Sequence, residues 1–187
     1  MVLGAFVGGL VLFLGAIFLV TGLAPAPHAG TIGGPFQLID QNGKMFSNLD
    51  MEGKPYLVYF GYTHCPDICP TTLFELSQIF RRLGPDAGRL GALFITVDPA
   101  RDTATLLKEY LASFDPHLRG LTGDRNAIDQ AMKDYRVYAK KVPLEGGDYS
   151  MDHTAIVYLM NKDGRFVEPF DLQRTAAAEA AELRKYL

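Results

Sequence analysis

Two cysteines, Cys65 and Cys69, are the only cysteines in this 187-residue chain, and both lie in the stretch Gly61–Pro70, Gly-Tyr-Thr-His-Cys-Pro-Asp-Ile-Cys-Pro. An apolar, β-rich run, Tyr56–Tyr62, precedes them and a stretch with helical apolar spacing, Thr71–Leu83, follows, which predicts a junction between a buried strand and a helix. Open α/β sheets place their sites at such junctions. The first turn of a helix favours a thiolate, which is both a metal ligand and a nucleophile. If helical geometry extends back to Cys65, both sulfurs share one face and could bind a metal or form a disulfide.

The cysteine stretch is one of three motifs that together resemble a known family. The second is Val97–Thr103, Val-Asp-Pro-Ala-Arg-Asp-Thr, and the third is Asp152–Thr154, Asp-His-Thr, which leads into Val157–Met160. From about Pro35 to its C-terminus the chain resembles the Sco/SenC family of copper proteins. The resemblance implies a thioredoxin-like α/β fold, in which a central mixed β-sheet is flanked by helices. It also implies one copper ion per chain and a role in building the binuclear copper centre of cytochrome c oxidase.

Carried over by position, the family's copper ligands are Cys65, Cys69 and His153. His153 follows a glycine-containing loop and precedes a predicted buried strand, where a histidine without this resemblance would be interpreted as a hydrogen-bonded loop residue. We expect the loop Lys140–Met151 to be mobile without metal and to swing His153 into the site. Two thiolates and an imidazole suit Cu(I), and can hold Cu(II) when another ligand joins, whereas a structural zinc site normally has four protein ligands. Met151 is a weak candidate for a fourth ligand, and packing is its favoured interpretation.

Four further polar residues are expected to assist the ligands without being permanent members of the set. His64 adjoins Cys65 and could raise its thiolate population or bind copper transiently. Asp67 lies between the cysteines and, if charged, would keep their pKa values up. Asp98 is interpreted as a turn residue that holds a loop beside the site. Asp152 could orient the neighbouring histidine or cap the loop.

The remaining elements must position these residues, and their pattern is typical of a thioredoxin-like α/β sandwich, in which strands alternate with helices before a final hairpin and helix. An Asn-Gly turn and an Asp-Gly turn mark two hairpins. The predicted strands are Phe36–Asp40, Lys44–Phe46, Gly91–Val97, Leu118–Thr122, Ala155–Met160 and Arg165–Phe170. The predicted helices run from a cap at Asp102 or Thr103 to about Phe114, from Asp124 to Tyr138 and from Thr175 to Leu187.

The N-terminal region is predicted to anchor the protein in a membrane. Val2–Leu23 contains no charged residue and, as a helix, would span roughly 33 Å, about the thickness of a bilayer's hydrocarbon core. A cleaved signal peptide is the alternative, but the apolar run is longer than a usual signal core and no basic residue precedes it. We therefore expect a transmembrane anchor at residues 1–23, a Pro/Gly tether at 24–35 and the copper-binding domain at 36–187. His28 is interpreted as a solvated residue of the tether.

Composition and resemblance together define the expected partners. With a formal net charge of -3 and 21% charged residues, the chain has no basic patch that would favour nucleic acid. The resemblance places the domain in the periplasm, on a single-pass anchor in the inner membrane, beside the copper-binding domain of cytochrome c oxidase subunit II. Because the cysteines would drift toward a disulfide in that oxidising compartment, a membrane-bound thioredoxin-like reductant is an expected second partner.

The main alternative is an enzyme, a membrane-tethered thiol–disulfide oxidoreductase on the same fold. Thioredoxin-type enzymes separate their cysteines by two residues and usually carry a tryptophan beside the first, whereas this chain has three intervening residues and no tryptophan. They also place a cis-proline opposite the cysteines, and no proline near the strand at Ala155 is closer than Pro143. These features favour a metallochaperone that is not an enzyme. The two roles can overlap, because the family resemblance also allows reduction of the oxidase's copper-site cysteines.

Overall fold

The computed structural model describes residues 32–187, which form a mixed α/β domain. Its strands are β1 (Gln37–Asp40), β2 (Met45–Ser47), β3 (Tyr56–Gly61), β4 (Gly91–Thr96), β5 (Leu118–Thr122), β6 (Ala139–Pro143), β7 (Tyr149–His153), β8 (Val157–Met160) and β9 (Phe166–Phe170). Its helices are α1 (Ile68–Leu83), α2 (Ala104–Leu111), α3 (Arg125–Asp134) and α4 (Ala176–Leu183). Seven strands make one sheet in the order β2-β1-β5-β4-β3-β8-β9, and β6 and β7 make a separate pair. The predicted combination of a central mixed sheet with helices is confirmed.

Strand β3 is the centre of the fold, and all six of its residues are buried. It pairs in parallel with β4 and antiparallel with β8, so the strand that follows His153 does lie beside the strand that precedes the cysteines, as expected. Helix α1 follows and buries the apolar positions that the helical spacing predicted, Leu73, Leu76, Ile79, Phe80 and Leu83. The cysteine stretch therefore connects a fully buried strand to the longest helix among residues 32–187.

Helix boundaries differ from the prediction by a few residues. Helix α2 ends at Leu111, and its cap is Thr103, whose hydroxyl accepts a hydrogen bond from the Leu106 N–H at 3.2 Å. Helix α3 ends at Asp134 rather than Tyr138, and Arg136 follows with φ of 57°, a left-handed conformation that terminates a helix. The two predicted hairpins, β1–β2 and β8–β9, are both present.

The segment predicted as the loop Lys140–Met151 is instead most of a β-hairpin. Strands β6 and β7 pair from Ala139 opposite His153 to Pro143 opposite Tyr149. Four of the five β6 residues are exposed, so no alternating apolar pattern marks this strand in the sequence. Gly146 and Gly147, with φ of 82° and 86°, make the turn. His153 is thus the last residue of a paired strand.

Within residues 32–187 no helix is long and apolar enough to cross a membrane. The predicted anchor at residues 1–23, and the tether as far as residue 31, lie outside the described part of the chain. The proposed division into anchor, tether and domain therefore stays a prediction.

Candidate metal centre

The structure brings the three predicted ligands together. One ligand atom from each of Cys65, Cys69 and His153 lies within 4.8 Å of the other two. The Cys69 Sγ is 3.6 Å from the Nε2 of His153, although 84 residues separate them in the chain. A cluster of two sulfurs and one imidazole nitrogen at this spacing could hold a single metal ion.

Cys65 reaches the cluster from a turn rather than from the helix. Helix α1 begins at Ile68, so the condition that helical geometry extends back to Cys65 is not met. The sulfurs are nevertheless close, because the backbone N–H of Cys69 donates to the Cys65 Sγ at 3.4 Å. An N–H of the helix's first turn, which has no partner within the helix, thereby fixes the first cysteine against the second.

The orientation of His153 leaves the correct nitrogen free for a metal. Its Nδ1 lies 3.0 Å from the backbone carbonyl oxygen of Thr154. A carbonyl only accepts, so Nδ1 must carry the proton and donate it. The Nε2 lone pair then faces the Cys69 sulfur. Histidine ligands in metal sites commonly have this arrangement, in which one ring nitrogen donates its proton to a carbonyl and the other is free to bind the metal. The edge of the Tyr62 ring also contacts the imidazole, with ring centroids 5.7 Å apart.

Burial dominates the electrostatics of Cys69. The residue is fully buried, and this burial raises the pKa of its thiol to about 12, although a hydrogen bond from the Tyr59 hydroxyl at 3.5 Å acts in the opposite direction. The expectation that the helix terminus makes this cysteine a thiolate is therefore wrong for the metal-free protein. Desolvation of the charged form is the largest cause of the raised pKa. A metal that binds here must displace the proton.

Of the four residues expected to assist the ligands, Asp98 has a clear structural role and Asp67 does not. Asp98 is fully buried and accepts hydrogen bonds from the Nε of Arg101 at 2.5 Å and the hydroxyl of Tyr149 at 3.0 Å. Asp67 is the residue that precedes α1, where it is exposed and its side chain makes no capping bond to the backbone. Burial, rather than Asp67, is the first cause of the raised pKa of Cys69.

The other two lie at the surface of the centre. The His64 side chain is half exposed, with Nδ1 3.0 Å from the hydroxyl oxygen of Thr63 and 3.9 Å from the carboxylate of Asp102. Asp152 is exposed and pairs with Lys140 across the hairpin, while the contact that orients His153 comes from a backbone carbonyl. Met151 is buried, in agreement with its interpretation as a packing residue.

Sequence reasoning missed the role of Asp102, which was considered only as a helix cap. Its carboxylate is buried and accepts hydrogen bonds from the Thr63 N–H at 3.1 Å, the Thr63 hydroxyl at 2.7 Å and the Thr96 hydroxyl at 2.6 Å. It thereby fixes the start of the turn that carries Cys65. Both acidic residues of the second motif were visible, but their spacing did not show that Asp102, like Asp98, is buried.

Comparisons with known proteins agree with this geometry. A model of the SCO1/SenC family matches residues 24–187. A SCO2-like protein of Rickettsia prowazekii is 42% identical over 156 residues, which cover 82% of this chain and 76% of that protein. The mitochondrial SCO2 homologue of Danio rerio is longer: at 40% identity, the match covers 82% of this chain but 56% of the relative.

Solved structures share the fold as well. Bradyrhizobium japonicum ScoI with copper bound is 60% identical, with a TM-score of 0.82 over 83% of this chain and 99% of that chain. BsSco, a member of the Sco family of cytochrome c oxidase assembly proteins, has a TM-score of 0.66 over 86% of this chain and 95% of that chain. Its identity of 24% makes it evidence for the fold alone. The family match over residues 24–187 and the relatives above 40% identity show that the chain belongs to the SCO1/SenC family.

Proposed function

We propose that this protein binds one copper ion through Cys65, Cys69 and His153 and delivers it to the binuclear copper centre of cytochrome c oxidase subunit II during oxidase assembly. The observation that carries the proposal is the convergence of two sulfurs and an imidazole nitrogen within 4.8 Å. The 60% identical ScoI, whose structure contains copper, supports copper as the metal.

The donor set fits copper as cargo. Two thiolates and an imidazole are soft ligands that suit Cu(I). Three protein ligands leave a coordination position through which a thiolate of the acceptor can enter. Cys65 is partly exposed and Cys69 is buried, so an incoming ligand would approach from the side of Cys65. Copper could then pass between proteins by ligand exchange, without release to water.

The predicted N-terminal region would place this chemistry at a membrane. An anchor at residues 1–23 and a tether at 24–35 would hold the domain near the periplasmic face of the inner membrane, where the copper-binding domain of the oxidase would also lie. Confinement raises the effective concentration of a weakly bound partner. A membrane-bound thioredoxin-like reductant would keep both cysteines reduced, because a disulfide offers copper no thiolate.

Two measurements test the proposal. Metal analysis of the reduced protein should give one copper per chain, with copper lost in a Cys65→Ser/Cys69→Ser variant. In a strain that lacks the gene, wild type should restore cytochrome c oxidase activity, whereas His153→Ala should not. Equal copper retention by wild type and the double cysteine variant would refute the copper site.

The strain experiment also separates copper delivery from thiol reduction. A dithiol reductase needs both cysteines but does not need the imidazole of His153. If His153→Ala restores oxidase activity as fully as wild type while either cysteine variant fails, the protein is a reductase of the oxidase's copper-site cysteines.

A further inference from the structure

The β6–β7 hairpin, which carries His153, has few stabilising contacts of its own. Strands β6 and β7 pair only with each other, apart from the main sheet. Most β6 residues are exposed, and Met151 is the only fully buried position of β7. An isolated two-stranded hairpin is marginally stable in water. Contacts outside the ladder must therefore fix β7 so that the His153 Nε2 stays 3.6 Å from the Cys69 sulfur.

Arg101 makes these contacts. Its Nε donates to the buried carboxylate of Asp98 at 2.5 Å, and its Nη1 donates to the Asp148 carboxylate at 3.1 Å and to the Tyr149 carbonyl at 2.9 Å. Its guanidinium carbon lies 3.7 Å from the centroid of the Tyr149 ring, and the Tyr149 hydroxyl donates back to Asp98 at 3.0 Å. The arginine thus joins the loop after β4 to the first residues of β7. A lysine could not reproduce this fork of donors together with the stacking.

Tyr62 extends the same cluster to the metal centre. Its buried ring lies 5.8 Å from the Arg101 guanidinium carbon and meets the imidazole of His153 edge-on at 5.7 Å. Tyr62 also immediately follows β3, three residues before Cys65. One set of contacts therefore adjoins the cysteine turn, the start of β7 and the histidine at its end.

We propose that Arg101, anchored on Asp98, is a positioning residue that holds β7 so that His153 faces the two cysteines. The inference rests on the proposed function, in which His153 is a copper ligand. Its mechanical part, the fixing of the hairpin, can be measured without copper.

The first test uses the metal-free reduced protein. In Arg101→Met, amide hydrogen exchange at residues 149–153 should become about tenfold faster or more, because the hairpin opens locally, while β3 and β4 keep their protection. Arg119→Met is the matched control. Arg119 pairs with the buried carboxylate of Asp40 at 2.8 Å and lies 4.7 Å from the Phe46 ring centroid, but it contacts neither β6 nor β7. Unchanged exchange of the hairpin in Arg101→Met would overturn the inference.

The second test is a double-mutant cycle on copper affinity, measured by competition with a chromophoric Cu(I) chelator. Arg101→Met should weaken binding by about 10- to 100-fold, the range typical when a group that orients a metal ligand is removed. In a His153→Ala background, Arg101→Met should not weaken copper binding further, because the imidazole through which Arg101 acts is absent. An equal loss in both backgrounds would show a general structural effect and refute positioning through His153.

Removal of Arg101 alone leaves the buried Asp98 carboxylate without its partner, which could unfold the domain. If Arg101→Met unfolds the domain, the Asp98→Asn/Arg101→Met variant, which removes both charges, is used in both tests instead. The expected results are the same. If wild type binds no copper, the proposed function fails, while the exchange experiment still decides whether Arg101 holds the hairpin.

Discussion

The structure leaves no space for a side chain at Gly61, the last residue of β3, because the Cys69 sulfur and the Phe94 ring lie too close. A Cβ built at Gly61 would lie 2.9 Å from the Cys69 Sγ and 2.6 Å from Cε2 of the fully buried Phe94, whereas ordinary contacts begin near 3.4 Å. In Gly61→Ala the new Cβ and the Cys69 sulfur must therefore separate by about 0.5 Å, and a shift of the sulfur by even half of that distance exceeds the roughly 0.2 Å tolerance of a metal–ligand distance.

We expect Gly61→Ala to lower the free energy of unfolding by about 1–3 kcal/mol, the usual cost of overpacking a core. Its copper affinity should fall by about 10- to 100-fold, as when a group that orients a metal ligand is lost. Denaturant unfolding of the reduced, metal-free protein measures the first effect. A titration against a chromophoric Cu(I) chelator measures the second.

Gly120→Ala is the matched control. A Cβ at Gly120, a buried position of β5, would lie 2.7 Å from the Leu111 Cδ1 and 3.3 Å from the Leu107 Cβ, so it overpacks the core without touching a ligand. It should cost a similar free energy of unfolding and leave copper affinity within about twofold of wild type. The reasoning is refuted if Gly61→Ala binds copper as tightly as wild type, or if both variants lose affinity equally.

Three further predictions concern the metal-free protein. Burial raises the pKa of Cys69 from 9.0 to about 12. Between pH 9 and about pH 12 the unfolded chain has therefore lost a proton that the folded protein keeps. The free energy of unfolding should fall as pH rises through this range, by up to about 1.4 kcal/mol per pH unit. Denaturant unfolding above about pH 9 should show this slope in wild type and a shallower one in Cys69→Ser, and equal slopes would contradict it. Nitrogen NMR at neutral pH should show His153 protonated on Nδ1, because the Thr154 carbonyl accepts that proton, and protonation on Nε2 would be the contrary result. Asp102→Ala should lower the free energy of unfolding by about 2–4 kcal/mol, because buried donors lose a charged acceptor. Substitution of the exposed Asp152 by alanine should lower it by less than about 0.5 kcal/mol. Similar losses in the two variants, measured by denaturant unfolding, would argue against the role of Asp102.

The elements around the cysteines could be predicted because their signals are local. Six consecutive buried residues in β3 appear in the sequence as an uninterrupted apolar run, and the buried face of α1 appears as a helical period. The ligands Cys65, Cys69 and His153 came from motif resemblance, and the structure brings their side chains together. The sequence did not show how the two sulfurs meet, since the helix starts after Cys65 and a single backbone N–H joins them.

The hairpin could not be predicted because its order depends on contacts between distant residues. Strand β6, Ala-Lys-Lys-Val-Pro, is mostly exposed and has no apolar stripe. The contacts that fix β7 come from Arg101, 47 residues before its partner Asp148. Nothing in the local sequence of either segment indicates this pairing, so a loop was the natural prediction for residues 140–151.

The pKa of Cys69 shows why helix position alone misjudges a site. The helix terminus lowers a thiol's pKa, and in the sequence the location of Cys69 in the first turn of α1 was opposed only by the neighbouring Asp67. Whether burial exceeds that effect depends on what covers the sulfur, and here the backbone of Gly61 lies beside it and the Tyr59 hydroxyl contacts it at 3.5 Å. Tertiary packing therefore reverses the direction that local structure suggests.

This reversal has a consequence for copper transfer. The thiol of Cys69, whose pKa burial raises, must lose its proton before it can bind copper, so this proton opposes copper binding at neutral pH. The same proton returns to Cys69 when copper leaves, which stabilises the empty protein. Cys65 is the more accessible sulfur, whereas the raised pKa of the buried Cys69 means that return of its proton favours copper release at this ligand. In the proposed delivery role, burial of Cys69 thus weakens copper binding in the direction that favours transfer to the thiolates of an acceptor.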